Sequence, residues 1–479
     1  MLRVLFLDRS NPVFIRSIRA LAREVEDLPV KLVFLSDKEG SEAAGNLRIV
    51  NIHDVTQRTD IETLEHRYGF SIHRALVPER SFFDYSSFRR CQRYSDLKLE
   101  QIERLIAPYV NAFDVLIRDE VDLVIEGFAD NFMTSIAGRI AGHYGKPFYM
   151  NFAYYWWQDG LLFADRMDQT SSEVDRRYAE YRANPARIDR ARAELVFAEK
   201  RFRPAATGYD LRMRLQQLLA RRTSYEPLSL KNWVCRRVSA AASRLAIRSF
   251  VASIERPLDE QFVLFPLHVL PEATLLGSSP EIADQFSLIK NISMNLPFGV
   301  RLYVKEHPAQ QVGAGLDYGF YRRLSALPNV RYVRASANLP GLLQHRGCLA
   351  VAVINGTIGL EAALMFRRPV FVFAPALYQA GGCFLKPGNF EEFGRQILEI
   401  RSGRYMFDEE GLYAVLQAID DCVVRAPVDF TKSRNWTETA LQGVPIYREF
   451  LVRQLKVRPA GSAAHSTEGY TDERTPELS

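Results

Sequence analysis

The chain has 479 residues, of which 47% are apolar and 25% charged, a composition typical of a globular protein with two or three domains. A formal net charge of +5 is small for this length, so it gives no reason to expect nucleic-acid binding. The five cysteines lie far apart and include no Cys-x-x-Cys pair, which argues against a disulfide framework and against a zinc site.

The first 164 residues alternate short apolar runs with amphipathic segments. Strands are predicted at residues 2–7, 30–35, 121–126 and 146–150, and helices at residues 13–23, 97–117 and 131–144. This alternation favours a parallel sheet with helices on its faces, so residues 1–164 are predicted to form a Rossmann-like domain. Because neither a cleavable leader nor an apolar run of membrane-spanning length is evident, a cytoplasmic location is expected.

Residues 165–258 form a different kind of segment, rich in arginine and poor in strand signals. Between residues 200 and 248, twelve basic residues stand against two acidic ones, a local charge of +10. We interpret 165–258 as a helical insertion between two sheet domains. The Arg-rich stretch 200–248 is a candidate contact for the inner-membrane surface or an acidic glycan, and the alternative is a solvated helical face.

The alternation of strands and helices resumes after the insertion. Strands are predicted at residues 262–265, 300–304, 330–333, 349–354 and 370–373, and helices at residues 281–294, 319–324, 339–345, 358–366 and 390–400. Residues 259–428 are predicted to form a second Rossmann-like domain, residues 429–456 a helix that crosses back, and residues 457–479 a disordered tail. The predicted fold class is α/β, with two Rossmann-like parallel-sheet domains facing a cleft, which is the GT-B plan.

The segment Lys305-Glu306-His307-Pro308 follows an apolar strand of the second half. Ligands bind at this edge of a parallel sheet, where helix N-termini present unpaired N–H groups. Proline restrains the residue before it, so the imidazole of His307 is expected to point into the cleft and to meet a phosphate. Lys305 shares the face of His307 in an extended segment, whereas Glu306 points elsewhere. The alternative is a strand end followed by an ordinary turn.

Asn355-Gly356-Thr357 follows the strand predicted at residues 349–354 and precedes a helix. Gly356 permits close approach of the backbone, and Thr357 can cap the helix and offer its hydroxyl to a phosphate. Glu361, one helical turn further on, is a candidate for binding ribose hydroxyls. The alternative is an ordinary N-cap with an acidic residue in the first turn.

Two more polar residues follow the first strand of the second half. His268 and Glu272 stand in an otherwise apolar turn, and they are candidates for holding the sugar or the leaving group. They are equally compatible with structural caps.

The first half is expected to supply the acceptor site and the general base. Glu126 ends a predicted strand and Asp130 starts the next helix, so either carboxylate is a candidate base in the cleft. An aromatic and polar stretch follows the next strand, and its candidate acceptor contacts are Tyr155, Trp156, Gln158 and Asp159. The alternatives are a core aromatic cluster and a helix cap.

The ordered motifs Phe-Pro-Leu-His-x-x-Pro-Glu-Ala-Thr, Lys-Glu-His-Pro and Asn-Gly-Thr-Ile-Gly-Leu-Glu-Ala, between about residues 262 and 378, resemble the capsule polysaccharide biosynthesis family. That family includes GT-B enzymes that transfer Kdo (3-deoxy-manno-octulosonic acid) from its CMP-activated form. The resemblance implies that Lys305, His307 and Pro308 contact the nucleotide phosphate of the donor, and that residues 355–357 form a second phosphate-side turn. It also implies that no metal or other cofactor is required.

Three hypotheses follow from these patterns. The first is a glycosyltransferase of surface polysaccharide that uses a nucleotide sugar, with His307 stabilising the departing phosphate. The second is a sugar-nucleotide epimerase on the same fold, and the third is a non-catalytic accessory protein of polysaccharide assembly or export.

Overall fold

The computed structural model describes residues 1–7, 12–37, 39–55, 59–78, 99–126, 131–152, 157, 159–198, 238, 241, 253–269, 273–282, 284–308, 318–430 and 440–457. The Arg-rich stretch (except residues 238 and 241) and the predicted tail beyond residue 457 therefore lie outside the described residues.

The strands form two sheets, and each sheet is built from short apolar runs. The first sheet contains β1 (Leu2–Leu7), β2 (Val30–Ser36), β3 (Glu42–Ala44), β4 (Leu47–Asn51), β5 (Leu123–Glu126), β6 (Phe148–Phe152), β7 (Gly160–Ala164) and the late strand β15 (Val424–Arg425). The second sheet contains β8 (Ser253–Ile254), β9 (Gln261–Pro266), β10 (Val300–Lys305), β11 (Val330–Val333), β12 (Cys348–Val353), β13 (Val370–Val372) and β14 (Phe384–Leu385).

The first sheet has the strand order β15–β7–β6–β5–β1–β2–β4–β3. Its central strands β4, β2, β1, β5 and β6 are parallel, whereas β3, β7 and β15 run antiparallel to their neighbours. The chain first adds β2, β3 and β4 on one side of β1, and it then returns to add β5 on the other side. The order of connections therefore reverses between β1 and β5, and Glu126 ends the strand on one flank of this switch point.

The second sheet is parallel throughout, in the order β14–β13–β12–β9–β10–β11–β8. The six strands other than β8 follow the 3-2-1-4-5-6 order of a Rossmann fold, with β9 as the first strand. The switch point consequently lies between β9 and β12. Parallel strands are buried on both faces, which explains their nearly continuous apolar sequences.

Helices cover both faces of each sheet. Their bounds are α1 Pro12–Glu24, α2 Ile61–Tyr68, α3 Ile72–Leu76, α4 Leu99–Val115, α5 Phe132–His143, α6 Ser172–Ala183, α7 Arg190–Ala198, α8 Ala273–Ser278, α9 Gln285–Asn295, α10 Tyr318–Ser325, α11 Leu339–Gln344, α12 Ile358–Phe366, α13 Phe390–Arg401, α14 Glu409–Cys422 and α15 Val444–Val457. Local chemistry fixes several starts: the side chain of Asn131 accepts a hydrogen bond of 2.9 Å from the Thr134 N–H and begins α5.

The end of the chain joins the two units. After α14 the chain forms β15, which pairs with β7 of the first sheet, and α15 then packs beside α1. The helices α6 and α7 pack against α14, where Gln417 donates to the hydroxyl of Tyr181 at 3.0 Å and Arg192 forms an ion pair with the buried Asp420. The early helices of the predicted insertion are thus attached to the last helix before the chain crosses back.

The predicted fold class, α/β with two Rossmann-like parallel sheets, is confirmed. The domain limits differ in two places, because β8 lies before residue 259 and joins the second sheet, while β15 lies before residue 429 and joins the first. Strands of two residues are too short to show a periodicity, so neither could be predicted from the sequence. The cleft between the two units stays a prediction.

Within the part of the chain that the structure describes, no helix combines the length and the apolar character needed to cross a membrane.

Candidate functional site

The predicted motifs of the second half leave the sheet along one edge. The strands β9, β10 and β12 are neighbours, and in each of them the chain runs toward the same edge. Lys305 is in register with Pro266, and the N–H of Leu267 donates to the carbonyl of Lys305 at 2.8 Å. The turns that carry His268 and Asn355 therefore begin on the two sides of the switch point, and the turn that carries His307 begins at the next strand, beside that of His268.

His268 is held from one side and packed from the other. The buried side chain of Gln285 accepts from the N–H of His268 at 3.0 Å and donates to its carbonyl at 3.3 Å. On the other side of the switch point, a Cβ placed on Gly356 would lie 3.3 Å from Nε2 of His268. The structure thus brings together two residues that the sequence predicted separately, 88 positions apart.

Two side-chain contacts hold the turn at residues 355–357. The hydroxyl of the fully buried Tyr378 donates to the carbonyl of Gly356 at 2.6 Å, and Asn355 Nδ2 lies 3.5 Å from Ser278 Oγ. Thr357 stands at the N-cap of α12 with helical backbone angles, and its side chain makes no capping hydrogen bond. The predicted side-chain cap is therefore not formed, and the backbone of the turn is held by Tyr378 instead.

Lys305 is buried, with only 5% of its surface exposed. Its Nζ lies 3.1 Å from the carbonyl oxygen of Ala335 and 3.5 Å from that of Glu306. Burial lowers the pKa of Lys305, and the nearby charge of Glu306 opposes that shift. The structure therefore places the ammonium against protein carbonyls, where it supports the end of β10.

Glu306 is also buried, and its partners are tyrosines. Tyr321 of α10 donates to Glu306 Oε1 at 2.8 Å, and the hydroxyl of Tyr332 in β11 is also bonded to this carboxylate. Burial is the main cause that raises the pKa of both tyrosines. The negative charge of Glu306 raises the pKa of each of them further. These tyrosines could not be identified from the sequence, because nothing in a linear pattern links residue 306 to residues 321 and 332.

The remaining predicted residues of this edge are more accessible. His307 is partly buried and Pro308 is exposed. Glu361 is partly buried in the first turn of α12, and its charge, after burial, contributes to the raised pKa of Tyr378. Glu361 therefore lies near the hydroxyl that holds Gly356.

In the first unit, Glu126 ends β5 and is 5% exposed, so a carboxylate stands beside that sheet's switch point. Asp159 has a different setting: its carboxylate lies 3.5 Å from Arg425 Nε, and its carbonyl accepts from the N–H of Ala426 at 3.2 Å. These contacts connect the start of β7 to β15. The other predicted residues, Asp130, Tyr155, Trp156, Gln158 and Glu272, lie outside the described residues.

Among the residues that the structure describes, no group of three histidine, cysteine or acidic side chains is arranged to hold a metal ion. The absence of a metal or cofactor requirement stays a prediction.

Residues 213–387 match the family model described as capsule polysaccharide biosynthesis protein. This segment contains His268, His307 and the turn at residues 355–357. The predicted resemblance to the capsule polysaccharide biosynthesis family is confirmed. No curated protein matches the chain.

Solved structures give weaker likenesses. The beta Kdo 2,4 transferase KpsC of Thermosulfurimonas dismutans is 14% identical with a TM-score of 0.30, covering 62% of this chain and 80% of that chain. The beta Kdo 2,7 transferase KpsC of the same organism is 14% identical with a TM-score of 0.32, covering 67% and 88%. WaaG, a glycosyltransferase involved in lipopolysaccharide biosynthesis, is 10% identical with a TM-score of 0.25, covering 94% and 99%. Likenesses at these TM-scores identify neither fold nor function.

Proposed function

We propose that the protein is a glycosyltransferase of bacterial surface polysaccharide biosynthesis, of the capsule or lipopolysaccharide type. It transfers a sugar from a nucleotide-activated donor, with CMP-Kdo as the leading candidate, to a glycan or glycolipid acceptor. The observation that carries the proposal is the packing of His268 against Gly356 at the switch point of a Rossmann-like sheet, next to the strand end that precedes His307 and inside the segment that matches the family.

The donor phosphate is expected at the turn of residues 355–357. Gly356 lets the phosphate approach the backbone, and the start of α12 offers N–H groups and the positive end of the helix dipole. The imidazole of His268 lies beside the same turn, with its Nε2 3.3 Å from the position of a Cβ on Gly356, so it can donate a hydrogen bond to the phosphate or to the sugar. This arrangement neutralises a phosphate with dipoles and side chains, and it needs no metal ion.

His307 is proposed to act on the leaving group. As the glycosidic bond of the donor breaks, negative charge develops on the phosphate oxygen, and an imidazole N–H at that oxygen stabilises the charge or transfers its proton. Pro308 restrains the backbone of His307, which limits the directions that the ring can take. Lys305 is proposed to contribute through the protein framework, since its ammonium is bonded to carbonyls.

The first unit is proposed to bind the acceptor. Glu126, beside the switch point between β1 and β5, is the described candidate for the base that removes a proton from the acceptor hydroxyl. Asp130, Tyr155, Trp156 and Gln158 remain proposed acceptor or base residues, and contact of the Arg-rich stretch with the inner membrane is part of the same proposal.

The test is a thermal-shift screen of the protein with CMP, UDP, GDP and ADP, repeated on His307→Ala. A nucleotide at about one hundred times its Kd stabilises a protein by about 2.7 kcal/mol, which is readily measured. We expect a shift with CMP that is reduced in His307→Ala and unchanged in His53→Ala, which removes an exposed histidine of the first unit.

Turnover is then measured as CMP release from CMP-Kdo in the presence and absence of a glycolipid acceptor. His307→Ala is expected to lose about 2–4 kcal/mol of transition-state stabilisation, as other preorganised donors do. Stabilisation by UDP or GDP alone would exclude the CMP-sugar donor. Stabilisation by no nucleotide would overturn the proposal and favour an accessory protein, and conversion of the donor to an epimeric sugar nucleotide without any acceptor and without release of CMP would favour an epimerase.

A further inference from the structure

Glu306 is the residue of the Lys-Glu-His-Pro segment to which the sequence assigned no function. It is 7% exposed, and the two elements that flank the end of β10 enclose it: α10 contributes Tyr321 and β11 contributes Tyr332. The rings of these tyrosines meet edge to face, with centroids 5.3 Å apart. One buried carboxylate therefore receives hydroxyl groups from two elements that are separate in sequence.

The backbone around Glu306 is fixed at the same place. The N–H of Glu306 donates to the carbonyl of Val333 at 2.9 Å, and its own carbonyl lies 3.5 Å from Lys305 Nζ. The Nζ atom of Lys305 also donates to the carbonyl of Ala335, in the loop after β11, at 3.1 Å. Side chain and main chain of residue 306 are thus both attached to β11 or to the loop that follows it.

His307 is the next residue, and Pro308 restrains it from the other side. The backbone of His307 consequently continues directly from the fixed peptide of Glu306. Replacing the carboxylate by an amide removes the charged acceptor of two buried tyrosine hydroxyls, so the hydrogen bonds among residues 306, 321 and 332 are expected to rearrange. Such a rearrangement would move the ring of His307 without touching any ligand.

We propose that Glu306, held by Tyr321 and Tyr332, is a positioning residue that sets the orientation of His307. The consequence for catalysis rests on the proposed function, because the residue that Glu306 orients is the histidine to which that function assigns the leaving group. The geometric part concerns the protein alone, so it is tested without a ligand.

The first experiment follows the ring signals of selectively labelled histidines by NMR in the full-length protein, with the His307 signal assigned from its loss in His307→Ala. Glu306→Gln and the milder Tyr332→Phe are expected to shift or broaden the His307 signal. The matched control is Tyr303→Phe. It removes a buried hydroxyl in β10, the strand that precedes Glu306, and this hydroxyl is bonded to another carboxylate, Glu260, at 2.8 Å. An unmoved His307 signal in folded Tyr332→Phe and Glu306→Gln, or an equal shift in Tyr303→Phe, would overturn the proposal.

The second experiment is a double-mutant cycle on CMP binding. Glu306→Gln is expected to weaken CMP binding about three- to tenfold in the wild-type background, as coupled neighbours do, and to have no further effect in His307→Ala. An undiminished loss in the His307→Ala background would overturn the proposal, since Glu306 would then act on the nucleotide by another route. If His307→Ala leaves CMP binding and turnover intact while Glu306→Gln still moves the His307 signal, positioning stands and the proposed role of His307 fails.

Discussion

The contact between His268 and Gly356 leads to a prediction about the glycine. In Gly356→Ala the new methyl group would lie 3.3 Å from His268 Nε2, a few tenths of an ångström closer than an ordinary contact. The backbone of His268 is held by Gln285, so the ring has to turn away. The methyl group also covers the side of the turn where we place the donor phosphate.

The two effects differ in magnitude. Crowding of this size costs roughly 1 kcal/mol or less of folding free energy, because a side chain can yield. Loss of close backbone approach to a phosphate is expected to weaken CMP binding about tenfold, which equals about 1.4 kcal/mol. At a CMP concentration of about one hundred times the wild-type Kd, the stabilisation by CMP should fall from about 2.7 to about 1.4 kcal/mol.

The assay is chemical unfolding with and without CMP, at one fixed nucleotide concentration. The control is Gly142→Ala, because Gly142 is a helical glycine of α5 with no atom within 4 Å of an added Cβ. This control should gain about 0.5–1 kcal/mol of stability and keep the full effect of CMP. Wild-type CMP affinity in folded Gly356→Ala, together with weakened binding in His307→Ala, would refute the assignment of residues 355–357 as the phosphate turn.

Two further predictions concern hydrogen bonds that hold these units in place. Tyr378→Phe removes the 2.6 Å donor to the carbonyl of Gly356, which keeps the N–H of Gly359 at 3.1 Å, so we expect a loss of about 0.5–1.5 kcal/mol in unfolding free energy and weaker CMP binding, measured by the same assay; unchanged CMP binding would contradict the role given to Tyr378. In the first unit, burial alone would raise the pKa of Asp114, but hydrogen bonds from Tyr144, Tyr68 and Arg67 together hold it below its usual value. An acid with a lowered pKa stabilises the fold above its unfolded pKa of about 4 and loses this contribution as pH falls through the folded pKa. Asp114→Asn should therefore be less stable than the wild type by about 2–4 kcal/mol at pH 7 in urea unfolding, and the difference should shrink toward about pH 3; a constant difference would contradict the linkage.

The elements of the second unit were predicted closely from the sequence, and the reason is their apolar character. The strand expected at 330–333 and the helix expected at 358–366 have the observed bounds Val330–Val333 and Ile358–Phe366. Long apolar runs bounded by turn residues specify such elements almost by themselves. The antiparallel strand β7 was missed, although its sequence is apolar, because it follows directly on an aromatic stretch that was interpreted as an acceptor-binding loop.

The site was predicted in its parts but not in its arrangement. The sequence identified His268 and Gly356, but only the strand order places β9 beside β12 and brings these residues into contact. For Lys305 a local pattern was not enough. Alternation along an extended segment predicted that it shares a face with His307, whereas its ammonium is bonded to the carbonyl of Ala335 in the loop after β11. Long-range partners decide where a side chain goes at the end of a strand, and they leave no trace in a local pattern.

The same reasoning separates the buried carboxylates of the protein by what they can do. Asp114 and Glu306 each accept hydroxyl groups from two tyrosines, and these hydrogen bonds hold each carboxylate in place. Glu126 stands at the carboxyl end of a strand that flanks the switch point of the first sheet. Ligands of parallel sheets bind at the carboxyl ends of strands beside a switch point, so the proposed acceptor and its base are expected at this position in the first sheet. Position in the topology, rather than burial, therefore makes Glu126 the described carboxylate to test as the base.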